Sequence, residues 1–366
     1  MNIIQLPPDT AGRLAGAVGD VMAIDAVTQD KRPPGSIRLE GHLLLPPDEA
    51  YGMLAERFKP FGVTPLLRKT KDGRADEVEA LPVAFGRATQ RVGLALGLFV
   101  LTVISCLFVG AQLDNGGPQL NWNLLDGWPF AASLMAILTA HEFGHYLTAR
   151  HLGTPTSLPY FIPMPIGLLG TMGAFIKMSM PPRNRRHLLA VGAAGPLAGL
   201  VVAVPVLWLG LKLSHVAALP LGPYAMEGNS LLYVLLKYMQ FGRLLPSGGL
   251  DVQISQVAFA GWGGLLVTGL NLMPAGQLDG GHIVYALLGP KGARIATWIV
   301  MVGLAALIFV WSQWAVWLVL VAVFGRFQDM PLDDITQLTR GQRVLAVGMV
   351  AVFVLVFSPV PWLQFP

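Results

Sequence analysis

The chain has 366 residues, of which 54% are hydrophobic and only 13% charged, against about 25% charged in ordinary globular chains. Mean hydropathy is +0.57, which excludes a purely soluble, disordered, collagen-like or disulfide-scaffold protein. The single cysteine, Cys106, cannot form an intrachain disulfide, and the net charge of +4 is better explained by membrane topology than by nucleic-acid binding.

Charge divides the chain in two. Residues 1–91 hold 12 of the 25 Lys/Arg and 12 of the 21 Asp/Glu, so this first quarter reads as a small soluble α+β domain on the cytosolic side. No basic-then-apolar signal pattern opens it. Its beginning is expected to be a flexible arm. Residues 37–44 alternate as a strand does, and 46–58 follow as a helix with two prolines at its start and acids in its first turn. Residues 62–69 and 75–81 flank Lys71-Asp72-Gly73, a hairpin signal, giving a βαββ order. Nothing in this domain has catalytic spacing.

Residues 92–366 read as the membrane domain. Spans need about 20 apolar residues, and the candidates are 92–110, 127–149, 188–211, 252–273, 293–311, a short 314–325 and 342–360. The expected fold is therefore a multi-pass α-helical membrane protein with six or seven transmembrane helices. Twelve Lys/Arg precede the first span, and none lies in 111–126. The N-terminus is therefore placed inside, with Arg326 also inside after a hairpin tip at Ser312-Gln313.

Within the second span stands His141-Glu142-Phe143-Gly144-His145. On a helix the two histidines are i,i+4 and can hold one metal ion from one face. Glu142 is placed to act as general base on water. Ionisable groups at membrane depth cost several kcal/mol unless partnered, so the string marks a site. Two histidines leave a tetrahedral zinc a protein ligand short. The only other carboxylate at depth is Asp279, inside Asn271-Leu-Met-Pro-Ala-Gly-Gln-Leu-Asp279-Gly280-Gly281-His282. Asp279 is either a further ligand or an N-cap for the helix after it. The orientation puts both carboxylates toward the inner side.

Residues 153–187 are apolar but too rich in Pro and Gly for a helix, which suggests a membrane-associated β-hairpin or re-entrant segment. Irregular backbone at that depth is tolerated where protein or a wet cavity satisfies it. An exposed strand near Gly170–Met178, with Gly170, Gly173 and Ala174, could pair with an unwound substrate. The ordinary alternative is a loop lying on the membrane. Gly195 and Gly199, and Gly261, Gly264 and Gly269, read as close-packing positions between spans. His151, His187 and His215 read as loop or interface histidines, and His282 as a substitute ligand.

The HEFGH and NLMPAGQLDGGH strings, with Leu158-Pro-Tyr-Phe-Ile-Pro-Met-Pro, Gly170-Thr-Met-Gly-Ala174 and Ala194-Gly-Pro-Leu-Ala-Gly199, closely resemble the site-2 protease family of intramembrane zinc metalloproteases. The likeness covers about 120–325. It implies one zinc ion per chain held by His141, His145 and Asp279, Glu142 as catalytic base, and Asn271 as a residue that helps hold substrate. It also implies transmembrane or membrane-anchored protein substrates within the lipid bilayer, no nucleic acid, and residence in the cell (inner, cytoplasmic) membrane with the active site toward the cytosol. Leu272 stands where some members have proline, a position that does not bear on zinc binding. The chain is most like the subgroup with an N-terminal soluble domain. Two other functions compete: an ion carrier using the buried carboxylates and histidines, which would call for repeated halves that the sequence lacks, and a non-catalytic zinc scaffold, which would have no need of Glu142.

Overall fold

The computed structural model describes residues 2–3, 9–30, 36–85, 90–113, 119–220, 222–325 and 330–365. In chain order the soluble part comprises β1 (Asn2–Ile3), α1 (Thr10–Ala17), β2 (Met22–Asp30), β3 (Ser36–Leu43), α2 (Pro47–Phe58), β4 (Thr64–Lys69), β5 (Asp76–Leu81) and β6 (Val83–Ala84). Strands β2-β3-β5-β4 form one antiparallel sheet in that order, and β1 pairs with β6. The prolines before α2 suit its first turn, where Asp48 and Glu49 complement the helix dipole. Its buried face of Ala50, Tyr51, Leu54 and Phe58 packs on Ile37, Leu39, Leu67 and Val78 of the sheet. The hairpin of β4 and β5 forms where Asp72-Gly73 was expected to turn the chain. Residues 10–30, expected as part of an arm, instead form α1 and β2. The reason is that β2 is held by backbone pairing to β3 along its length, while Ala23 and residues 25–28 remain exposed, so no hydrophobic period betrays it.

The second part comprises α3 (Val92–Leu113), α4 (Trp128–His151), β7 (Tyr160–Pro163), β8 (Thr171–Phe175), α5 (Arg185–Lys212), β9 (His215–Ala218), β10 (Tyr224–Glu227), α6 (Leu231–Phe241), β11 (Leu250–Gln253), α7 (Gln256–Asn271), α8 (Asp279–Leu307), α9 (Trp314–Phe324), α10 (Arg340–Val356) and β12 (Trp362–Phe365). By length and composition α3, α5 and α8 can cross a membrane. Helix α9 has 11 residues, roughly 16 Å at 1.5 Å per residue, well short of a 30 Å hydrocarbon core. The turn expected at Ser312-Gln313 lies between α8 and α9, whereas Arg326 lies outside the described residues. Helix α8 begins much earlier than the span expected at 293 and is broken at Gly289, whose φ of 73° and ψ of −173° are non-helical. Pro290 follows, and the two together release the helix from a single axis.

Helix α5 packs between α4, α7 and α8, and the buried side chains of these helices merge into one core. The soluble sheet is tied to the foot of α5. Leu67 of β4 bonds Leu332 and Asp334, while Leu332 and Asp333 bond the carbonyls of Pro182 and Arg183. At the far end, β10 pairs with β12 and β9 with β11, and Gln256 at the start of α7 donates to the Asp126 carbonyl just before α4.

Candidate metal centre

Helix α4 runs unbroken through the HEFGH string, so His141 and His145 project from one face, 3% and 7% exposed, and Glu142 is buried beside them. Asp279 arrives from another element. Helix α7 ends at Asn271, and residues 272–278 turn the chain back into α8. This turn requires glycine. A Cβ on Gly280 would lie 1.9 Å from the Leu272 carbonyl oxygen, and one on Gly281 would lie 2.3 Å from that of Gly276. With the backbones in contact, Asp279 opens α8 as its first residue. Leu278, not Asp279, occupies the N-cap position, with no side-chain cap bond. The Asp279 carboxylate turns instead toward the histidines.

The donors converge. His141 Nε2 lies 3.3 Å from Asp279 Oδ2, His145 Nε2 lies 3.3 Å from Asp279 Oδ1, and the two Nε2 atoms are 3.2 Å apart. A tetrahedral ion with ligands at about 2.0–2.1 Å spaces them roughly 3.3 Å from one another. Among the described residues this is the one cluster of three or more His, Cys, Asp or Glu side chains arranged to hold a metal. His145 Nδ1 lies 2.8 Å from the Val191 carbonyl oxygen, and donating to it leaves Nε2 as a lone pair turned into the cluster. Asn271 Nδ2 stands 3.3 Å from His141 Nε2, at the edge of the cluster. Three acceptor groups aimed at one point repel one another unless a cation sits there, so the residues fit zinc.

A cavity of about 370 Å³ opens onto this cluster, with Glu142, Asn271, Gln277 and His282 among its walls. Ala174 and Phe175 of β8 and the adjacent Ile176 line it as well. The β7–β8 hairpin forms inside the segment expected to hold one, and β8 is paired on one side only. Gly170 and Gly173 lie away from the cavity lining. Gly170, at φ 74°, turns the chain into β8, with its carbonyl accepting from Ser105 Oγ at 2.6 Å. Gly173, at φ 98°, sits within the strand. His282 stays in the wall, outside the three-donor cluster. Sequence reasoning missed the Val191 carbonyl, which no residue type could announce. It read Gly195 and Gly199 only as packing positions, although both back onto the imidazole rings.

Residues 129–310 match peptidase family M50. A rice protein (Oryza sativa subsp. indica) named probable zinc metalloprotease EGY2, chloroplastic, is 29% identical over 352 residues, covering 92% of this chain and 64% of its own length. The Arabidopsis thaliana protein of the same name is 29% identical over 383 residues, covering 98% of this chain and 66% of its own. Arabidopsis thaliana probable zinc metalloprotease EGY1, chloroplastic, is 31% identical over 297 residues, covering 73% and 53%. This chain thus spans under two thirds of the length of these relatives. No solved structure matches it. The matched segment contains the His–His–Asp cluster and the glutamate beside it, and this segment of the chain belongs to peptidase family M50, the site-2 proteases.

Proposed function

We propose that this chain is a zinc metalloendopeptidase that cuts transmembrane or membrane-anchored proteins within or beside the bilayer. The observation that carries the reading is the convergence of two imidazoles and a carboxylate at 3.2–3.3 Å with Glu142 in the wall of the same cavity. His141, His145 and Asp279 are the proposed ligands of one zinc ion. Zinc held there supplies Lewis acidity, polarising a peptide carbonyl and making water acidic enough to ionise near pH 7. The Glu142 carboxylate accepts a proton from water as its oxygen attacks the carbonyl carbon. It then delivers that proton to the amine nitrogen as the C–N bond breaks. Asn271 holds the substrate beside the ligands. The Gly170–Ala174 stretch presents the β8 edge, where an unwound substrate adds as a strand with Ala174 nearest the cluster. A substrate helix bonds its own carbonyls and must unwind to offer one.

The same reading divides the chain into a soluble domain (1–91) and a membrane protease domain (92–366, core 120–325) with six or seven spans. It takes the membrane to be the cell inner membrane and, on the distribution of Lys and Arg, turns the N-terminus and the cavity toward the cytosol. The relatives' names place those proteins in chloroplasts. The test is zinc content and cleavage of a model transmembrane substrate by detergent-purified protein. Glu142→Gln should keep its zinc and cleave at least about a hundredfold more slowly. A Glu142→Gln protein cutting at the wild-type rate would overturn the role of Glu142.

A further inference from the structure

Helix α5 contributes no ligand, yet one of its faces touches every ligand residue. Gly192, Gly195 and Gly199 fall on that face, spaced by three and four residues. A Cβ on Gly195 would lie 2.0 Å from His145 Nε2, the atom turned into the cluster. One on Gly192 would lie 3.0 Å from His282 Cβ and 3.3 Å from the Asp279 carbonyl oxygen, and one on Gly199 would lie 3.2 Å from His141 Cβ and Nδ1. One turn before Gly195, the Val191 carbonyl accepts from His145 Nδ1 at 2.8 Å. Val191 and Gly195 thus hold the two nitrogens of one ring, one by a hydrogen bond and one by leaving space for it.

We propose that Gly195 is a positioning residue for the metal centre, with α5 acting as a template that sets the His145 ring so that Nε2 meets the partner donors. The inference rests on the metal-centre reading above. Its steric logic separates position from fold. The atom that a methyl group at 195 would strike is the far end of a side chain, which can swing away, so the helix bundle survives while the ligand atom leaves its place. Gly210 on the same helix is the opposite case. A Cβ there would lie 2.1 Å from the backbone nitrogen of Ala258 in α7, a contact between two helix backbones remote from the ligands.

The experiment measures zinc affinity by chelator competition on the full detergent-purified chain, together with the unfolding temperature in excess chelator. The variants are Gly195→Ala, Gly199→Ala, Gly210→Ala and His145→Ala. Gly195→Ala should lose about a hundredfold in zinc affinity with its metal-free unfolding temperature near wild type, and Gly199→Ala about tenfold, the range seen when the surroundings of a ligand are disturbed. Gly210→Ala should unfold at a lower temperature and bind zinc as wild type does. If Gly195→Ala fails to fold, Gly199→Ala set against Gly210→Ala decides. Wild-type affinity in the folded glycine-195 variant, or equal losses in Gly199→Ala and Gly210→Ala, would overturn the template role while leaving the metal centre standing. A wild-type chain that binds no zinc, or a His145→Ala chain that binds it undiminished, would overturn both.

Discussion

Both ends of α7 bury ionisable groups, and they do so in opposite ways. Beyond its start lie Glu227, Tyr233, Lys237 and Asp251, each at most 7% exposed. There, opposites are matched. Tyr233 donates to Glu227 at 2.7 Å, and Lys237 Nζ lies 3.9 Å from Asp251 and 4.5 Å from the centre of the Tyr233 ring. Beside its end, roughly 22 Å away along the helix, His141, His145 and Asp279 set acceptor against acceptor around a point. Burial of charge is common to the two clusters, so burial alone does not mark a metal site. The distinguishing feature is the cation: the first set carries its own in Lys237, 3.9 Å from Asp251, whereas two imidazoles and a carboxylate converging on one point call for an ion from outside.

Removing the histidines should break the comparison most severely. The His141→Ala/His145→Ala double variant should retain almost no zinc in metal analysis, and full occupancy would end the assignment of the cluster. A smaller loss is expected from the strand beside it. Proline at Ala174 or Ile176 removes a backbone donor from the β8 edge, so cleavage should fall by about tenfold or more while zinc stays bound. Undiminished cleavage would mean that β8 does not hold the substrate. Conversely, helix-breaking Gly or Pro near the cut in the substrate should speed cleavage and a run of Leu should slow it, as read by mass mapping of products.

At the other end, Lys237→Met leaves two buried carboxylates without their cation. It should cost about 3 kcal/mol in stability with zinc affinity unchanged. A fall in zinc affinity would show that the two clusters are coupled. The smallest effect belongs to Glu227. Burial holds its carboxyl above the ordinary carboxylate range despite the Tyr233 hydrogen bond and the nearby Lys237. The folded state therefore binds this proton more tightly than the unfolded chain, and its contribution to stability declines as pH rises above the ordinary carboxylate value. Glu227→Gln keeps an acceptor for Tyr233 and removes that decline. Its unfolding temperature should exceed that of wild type at pH 8 and converge with it near pH 4, and a lower value at pH 8 would assign the Glu227 charge a net stabilising role.

The sequence alone determined what depends on near neighbours. Hydropathy specified the membrane class, the 3.6-residue period put His141 and His145 on one face, and Pro and Gly placed the α2 start, the β4–β5 turn and the broken stretch around β7 and β8. It also isolated Asp279 as a carboxylate at depth, leaving open whether it would cap a helix or face the histidines. Only the tertiary structure decided that, because the answer depends on how closely the 272–276 turn approaches Gly280 and Gly281 and how α7 and α8 lie against α4. The early strand β2 escaped notice because backbone pairing, blind to side chains, holds an exposed edge. The break in α8 went unread, since apolar runs record solubility in lipid without recording where a helix bends, whereas the short span expected at 314–325 matches α9. The role of α5 was hidden most deeply. A glycine shows in sequence only that something comes close, and the fold alone reveals that at Gly195 the close neighbour is His145 Nε2.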